Sequence, residues 1–160
     1  MDQQDYCPPD QMLGFRMTIQ SRCDGLWEAA DSIMRTVQTL PCVQADLNDL
    51  HLALVEALTN AVLHGNREDP AKTVDVFGGC DGQKQLLIAI TDQGDGFDPT
   101  ALPDPTAAEN VCASHGRGVF LMKRLVDEVE FNLGGRQVVL RKRIAGPPKA
   151  PQTFRLRPTT

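Results

Sequence analysis

The chain has 160 residues, 41% of them hydrophobic and 23% charged, with a formal net charge of −5. That length suits one domain with a real core, and the composition is ordinary for a soluble globular chain. The acidic balance argues against a nucleic-acid binder, the polar start MDQQDYCPPDQ is no signal peptide, and no apolar run approaches membrane-spanning length.

Met1–Gln11 reads as a flexible arm, 12–145 as the folded domain and 146–160 as a flexible tail. In Met12–Ser21, Leu13, Phe15, Met17 and Ile19 alternate with Gly14, Arg16, Thr18 and Gln20. Period two over that length predicts a half-buried strand. Asp24 stands where it would cap a helix with Leu26, Trp27, Ala30, Ile33, Met34 and Val37 on its apolar face. Asp46 stands where it would cap a central helix running to about His64. Thr73–Phe77 and Gln85–Thr91 read as strands, with the Gly78-Gly79-Cys80-Asp81-Gly82 stretch as a hairpin connection. Pro99–His115 is long, rich in proline and weakly periodic, which suits a lid or binding loop. Gly116–Val126 predicts a helix, and Val129–Leu133 and Arg136–Ile144 predict two strands turned at Gly134-Gly135. The five cysteines are scattered without metal-site spacing, which predicts reduced thiols in a cytoplasmic protein.

Hairpins dominate this order, so the sheet should be mostly antiparallel, a mixed sheet at most, with the helices on one face. The fold class is therefore α/β (α+β), a two-layer sandwich. Neither glycine cluster fits the dinucleotide fingerprint, because Pro99 and Leu121 occupy the third glycine positions, and no phosphate-loop lysine motif is present.

Three segments carry chemistry. In Leu52–Asn66 the apolar stripe is Leu54, Val55, Leu58, Ala61 and Val62, while Glu56, Asn60 and His64 fall four apart along one side. The amide oxygen of Asn60 is a suitable single protein ligand for Mg²⁺, which otherwise keeps phosphate and water. Glu56 one turn away can take a proton from an attacking hydroxyl or water. His64 either contacts phosphate or merely closes the helix end; His51 and His115 receive no role. In Asp92-Gln93-Gly94-Asp95-Gly96-Phe97, Asp92 ends a strand and glycines allow the backbone close to a flat ligand. A carboxylate there suits the exocyclic amine of adenine, though the same residues also make a common polar turn. Gly116-Arg117-Gly118 opens a helix, where free N–H groups and the dipole favour phosphate and Arg117 adds charge. It is equally a glycine-relieved helix start with a solvated arginine.

Taken together, the three segments resemble a known family. Glu56-x-x-x-Asn60 within EALTNAVLHGN resembles the N-box of the GHKL ATPases, which include DNA gyrase, histidine kinases and mismatch-repair ATPases. DQGDGFDP resembles their adenine box, and HGRGVFLMKRLVDEVEF their second glycine box. The three occur in order over about Met12 to Ile144, and the details are similar to bacterial anti-sigma-factor serine/threonine protein kinases. The resemblance implies a Bergerat-type ATP-binding fold. It implies that Asn60 holds Mg²⁺, Glu56 is the general base, and Asp92 binds the adenine amine. Gly94 and Gly96 would shape the base pocket, and Gly116 and Gly118 would cradle the phosphates of ATP. It implies two partners, a sigma factor or similar regulator and an anti-sigma-factor antagonist protein, with no nucleic acid and no membrane. A homodimer is compatible with it, the first strand and helix being the candidate interface. The alternative is an ATP-binding partner-switching module without kinase activity. Gly135-Arg136-Gln137-Val138 lacks the threonine that many relatives carry beside adenine.

Overall fold

The computed structural model describes residues 13–40, 43, 47–80, 85–101 and 117–144. The expected arm, the Asp46 cap, the 102–116 part of the loop with Gly116, and the tail all lie outside the described residues.

The elements follow the expected order. Strand β1 (Leu13–Gln20) leads to α1 (Leu26–Gln38) and α2 (Asn48–Thr59), and α2 runs into a π-turn at Asn60–Gly65. Then come β2 (Thr73–Cys80), β3 (Gln85–Thr91), α3 (Arg117–Leu125), β4 (Glu128–Asn132) and β5 (Gln137–Arg143). The sheet order is β1-β2-β3-β5-β4, and every described pairing is antiparallel. The largely antiparallel two-layer sandwich is thus what the chain forms.

Alternation along the central strands explains the layers. Val74 and Val76, Ile88 and Ile90, and Val138 and Leu140 face the helices and are fully or nearly fully buried. They meet Leu50, Leu54 and Leu58 of α2 and Val62 of the π-turn, all within 1% of complete burial. Burying each such side chain contributes about 1.5–3 kcal/mol, so the stripe fixes which side of α2 faces in. The opposite side of its last turn is left for Glu56 and Asn60.

Two local expectations are corrected. Gly78, Gly79 and Cys80 belong to β2 rather than to a connection, pairing with Phe15, Gly14 and Leu13. The Phe15 ring lies across Gly78, where any side chain would collide with it, so a glycine here makes room for a neighbour rather than a turn. Asp24 does not cap α1. The cap is Gly25 in the left-handed region, φ 88°, with no side-chain cap bond. Asp24 instead pairs with Arg22 at 2.7 Å, a hydrogen bond that holds its carboxyl below the usual carboxylate range. The cap position of α2 is Leu47, also without a side-chain bond.

The thiols also depart from the uniform reduced state expected. Cys80 is disulfide-bonded, whereas Cys23 is free. A hydrogen bond to Glu68, then burial, pushes the Cys23 thiol up to about 11, so it is protonated at neutral pH. Among the described residues no helix is long and apolar enough to cross a membrane.

Candidate functional site

The central helix does not run regularly to His64. After Glu56 and Asn60 its hydrogen bonding lengthens, and the Asn66 N–H reaches the Ala61 carbonyl, five residues back, at 2.8 Å. Such π-turns are rare and recur at functional sites. Here the wider turn delivers Gly65 to the end of β3. Glu56, Asn60 and His64 nevertheless line one cavity of about 400 Å³, a size ordinary for small-molecule sites.

Asp92 forms the polar floor. It follows β3 directly and is only 9% exposed. Gly65 packs on its carboxylate so closely that a side chain there would overlap it, and Gly94 in turn packs on the Gly65 carbonyl. The Gly94 N–H donates to Asp92 Oδ1 at 2.8 Å. Burial pushes the Asp92 carboxyl up from its ordinary value, against the lowering pull of the Gly94 N–H, Arg136 and Lys72. It is a desolvated acceptor with one oxygen already engaged.

The β4–β5 turn clasps this floor. Leu133, Gly134 and Gly135 are all left-handed, at φ 53°, 65° and 88°. The Asp92 N–H donates to the Arg136 carbonyl and the Phe97 N–H to the Gly134 carbonyl, both at 2.9 Å. Gly96, at φ 78°, lies against the Gly134 carbonyl, and Gly135 against the Phe97 backbone, neither with space for a side chain. Phe97 and Phe131 meet edge to face at 5.4 Å on the cavity wall, whose other apolar surface includes Ile90, Met122 and Val138.

The start of α3 closes the far end. A methyl on Gly118 would stand 3.0 Å from Glu56 Oε2 and 3.4 Å from Asn60 Nδ2, so the helix start abuts the acid–amide pair. Arg117 and Gly118 both line the cavity. Backbone N–H groups of a first helical turn, beside an arginine, favour an anion there.

Of the residues singled out from sequence, the cavity gathers Glu56, Asn60, His64, Asp92, Gly96, Arg117 and Gly118. Gly94 stands behind Asp92 rather than on the lining, and Gly116 is outside the described residues. Sequence reasoning missed Gly65 as a packing partner, the clasp at Gly134 and Gly135, and the Phe97–Phe131 pair. Each depends on a contact between distant segments. Gly65→Ala tests the first of these: the added methyl must displace Asp92. It is expected to destabilise by about 1–3 kcal/mol, the usual cost of overpacking, read as a lower Tm together with weaker ligand binding.

Fold and cavity together define a class: a single-faced antiparallel α/β sandwich whose one-sided helix layer leaves a polar-floored ligand cavity beside its central helix. Comparison with known proteins narrows it. A family model described as a histidine kinase-like ATPase domain matches residues 19–142, and the chain belongs to that family. The chain is similar to Serine-protein kinase RsbW of Bacillus licheniformis, at 34% identity over 95 residues, covering 55% of this chain and 58% of that protein. Serine-protein kinase RsbW of Bacillus subtilis is 32% identical over 109 residues, covering 63% of this chain and 67% of that one. The chain therefore spans roughly three-fifths to two-thirds of these relatives' lengths. A crystal structure of the RsbU and RsbW domains of Rv1364c from Mycobacterium tuberculosis superposes with a TM-score of 0.60. It covers 84% of this chain and 33% of that one at 18% identity, a likeness of fold.

Proposed function

We propose that the chain is an ATP- and Mg²⁺-dependent protein serine/threonine kinase of the anti-sigma type. It would phosphorylate a small antagonist protein and sequester a sigma factor or similar regulator. The observation that carries this reading is that Asp92, the Glu56–Asn60 side of α2 and the start of α3 line one cavity. Membership in an ATPase-domain family and similarity to proteins named serine-protein kinases support it.

Each residue then has a task. Asp92 accepts from the adenine amine, with Gly96 on the slot's lining and Gly94 packed behind the carboxylate. Gly116, Arg117 and Gly118 hold the phosphates from the α3 end, and His64 lies within the same lining. Glu56 takes the proton from the substrate hydroxyl as its oxygen bonds to the γ-phosphorus and the bond to ADP breaks. The donor set fits a magnesium ion. Asn60 lines the cavity beside Arg117 and Gly118, and its amide oxygen with phosphate oxygens and water would make a suitable magnesium shell. Bound magnesium would supply charge neutralisation across the phosphates. A homodimer through β1 and α1 is part of the same proposal.

Mg·ATP at about 100 times its Kd is expected to raise Tm by about 5–10 °C for a chain of this size. Radiolabelled ATP with candidate antagonist proteins then reads transfer. No thermal shift at large excess would sink the nucleotide reading. A shift without transfer to any antagonist would favour the binding-only module.

A further inference from the structure

Asn66 follows the π-turn directly and is 0% exposed. Each of its polar atoms is engaged. Its N–H donates to the Ala61 carbonyl at 2.8 Å, and its carbonyl accepts from the Asp69 N–H at 3.1 Å. Its Nδ2 donates to the Thr73 carbonyl at 2.9 Å, and its Oδ1 accepts from the Gln93 N–H at 2.7 Å. Gln93 Oε1 then accepts from the Thr73 N–H at 2.9 Å. The ring closes through three segments: the exit of the π-turn, the first residue of β2, and the residue that follows Asp92.

Asn66 does not line the cavity. We infer that it is a positioning residue, which fixes the Asp92 carboxylate for the nucleotide base through the Gln93 N–H. The inference rests on the nucleotide reading of the cavity. Its geometry is specific. Gly65 and Gln93 are the chain neighbours of Asn66 and Asp92, so the 2.7 Å bond sets the separation of Gly65 from the carboxylate. That separation has no slack, because not even a methyl fits between them. A fully satisfied network around a buried amide holds one arrangement, and removing that amide leaves the part-buried bonds to the Gln93 N–H and the Thr73 carbonyl unmade. The 92–94 turn, whose own bond from Gly94 to Asp92 spans only two residues, then loses its tether to the helix layer.

The test compares Asn66→Ala, Asn66→Asp and Asp92→Asn by calorimetry with ATP, with adenosine and with inorganic triphosphate. Asn66→Ala is expected to weaken ATP and adenosine alike by about tenfold or more, with triphosphate binding unchanged. The loss should be non-additive with Asp92→Asn, since the double variant has no carboxylate left to position. Asn66→Asp retains an acceptor for the Gln93 N–H. It should recover most of the affinity at no gain in Tm, which a merely structural role would not produce. In the nucleotide-free protein the Gln93 amide should exchange faster in Asn66→Ala. Additive losses, affinity that simply follows Tm, or an unchanged Gln93 exchange rate would overturn the inference while leaving the nucleotide site standing. If wild-type protein binds no ATP at all, the functional reading falls and this inference with it.

Discussion

Asparagine in place of Asp92 is expected to weaken ATP binding by about a hundredfold or more while leaving the fold as stable as before, or more so. The two effects are expected to diverge because, in the proposed function, the carboxylate is held for the ligand at the expense of the apoprotein. The residue is 9% exposed, and burial raises the pKa of its carboxyl against the pull of nearby donors and cations. Asparagine keeps an oxygen for the Gly94 N–H, the 2.8 Å bond that shapes the turn. What it removes is the anionic acceptor, worth about 1.5–3 kcal/mol in a hydrogen bond, and it offers an N–H₂ to a ligand amine that is itself a donor. The mismatch adds about 1–3 kcal/mol for the group left unpaired.

The sign of the pH dependence follows from the same residue. A carboxyl whose folded pKa is raised contributes stability fully present below the unfolded value and lost as pH rises through the folded value. Wild-type protein without nucleotide should therefore lose stability, relative to Asp92→Asn, as pH climbs through and just above the ordinary carboxylate range. The difference in Tm between the two should widen over that window and level off beyond it. A gap constant with pH would mean that Asp92 is solvated like a surface acid, and would remove the physical basis of its assignment.

Much of this architecture is legible in the residues because its signals are local. Val74 and Val76 on one strand, and Ile88 and Ile90 on the next, carry period two, and Leu50, Leu54 and Leu58 carry the helical period, so strands, helices and their one-sided layering can be read directly. The site was legible for a related reason: Glu56 and Asn60 share an α-helical turn, and Asp92 ends a strand beside two glycines. What escaped is non-local. Gly78 reads as a turn residue until Phe15, on another strand, is found lying over it. Gly25, not Asp24, caps α1 because a left-handed cap suits glycine and Arg22 engages the aspartate. The π-turn has no counterpart in hydrophobic spacing; it ends at Asn66, whose side chain bonds Thr73 and Gln93 on distant segments. Gly65, one residue past the expected helix end at His64, acts as a packing surface for Asp92.

Glutamine in place of Glu56 separates the kinase from the binding module. Phosphoryl transfer should fall by about 10²- to 10⁴-fold, the usual contribution of a positioned acid or base, with ATP affinity changed only a few-fold. The substitution is nearly isosteric, and that matters because the side chain is tightly placed. Glu56 Oε2 lies where a methyl on Gly118 would come within 3.0 Å of it, so the acid sits directly beneath the start of α3. Glutamine fills that space and preserves the approach of α3 to Asn60, yet cannot receive a proton. Asn60→Ala should behave differently. In the proposed function its amide is the magnesium ligand, so the loss should appear in ATP binding and be larger with magnesium than with EDTA. Single-turnover transfer, measured beside calorimetric affinity, distinguishes the two. Transfer surviving in Glu56→Gln would remove the general-base role and leave positioning and charge neutralisation as the whole of catalysis. Equal losses of affinity in both variants would mean that the pair acts as one structural unit rather than as a base and a ligand one helical turn apart.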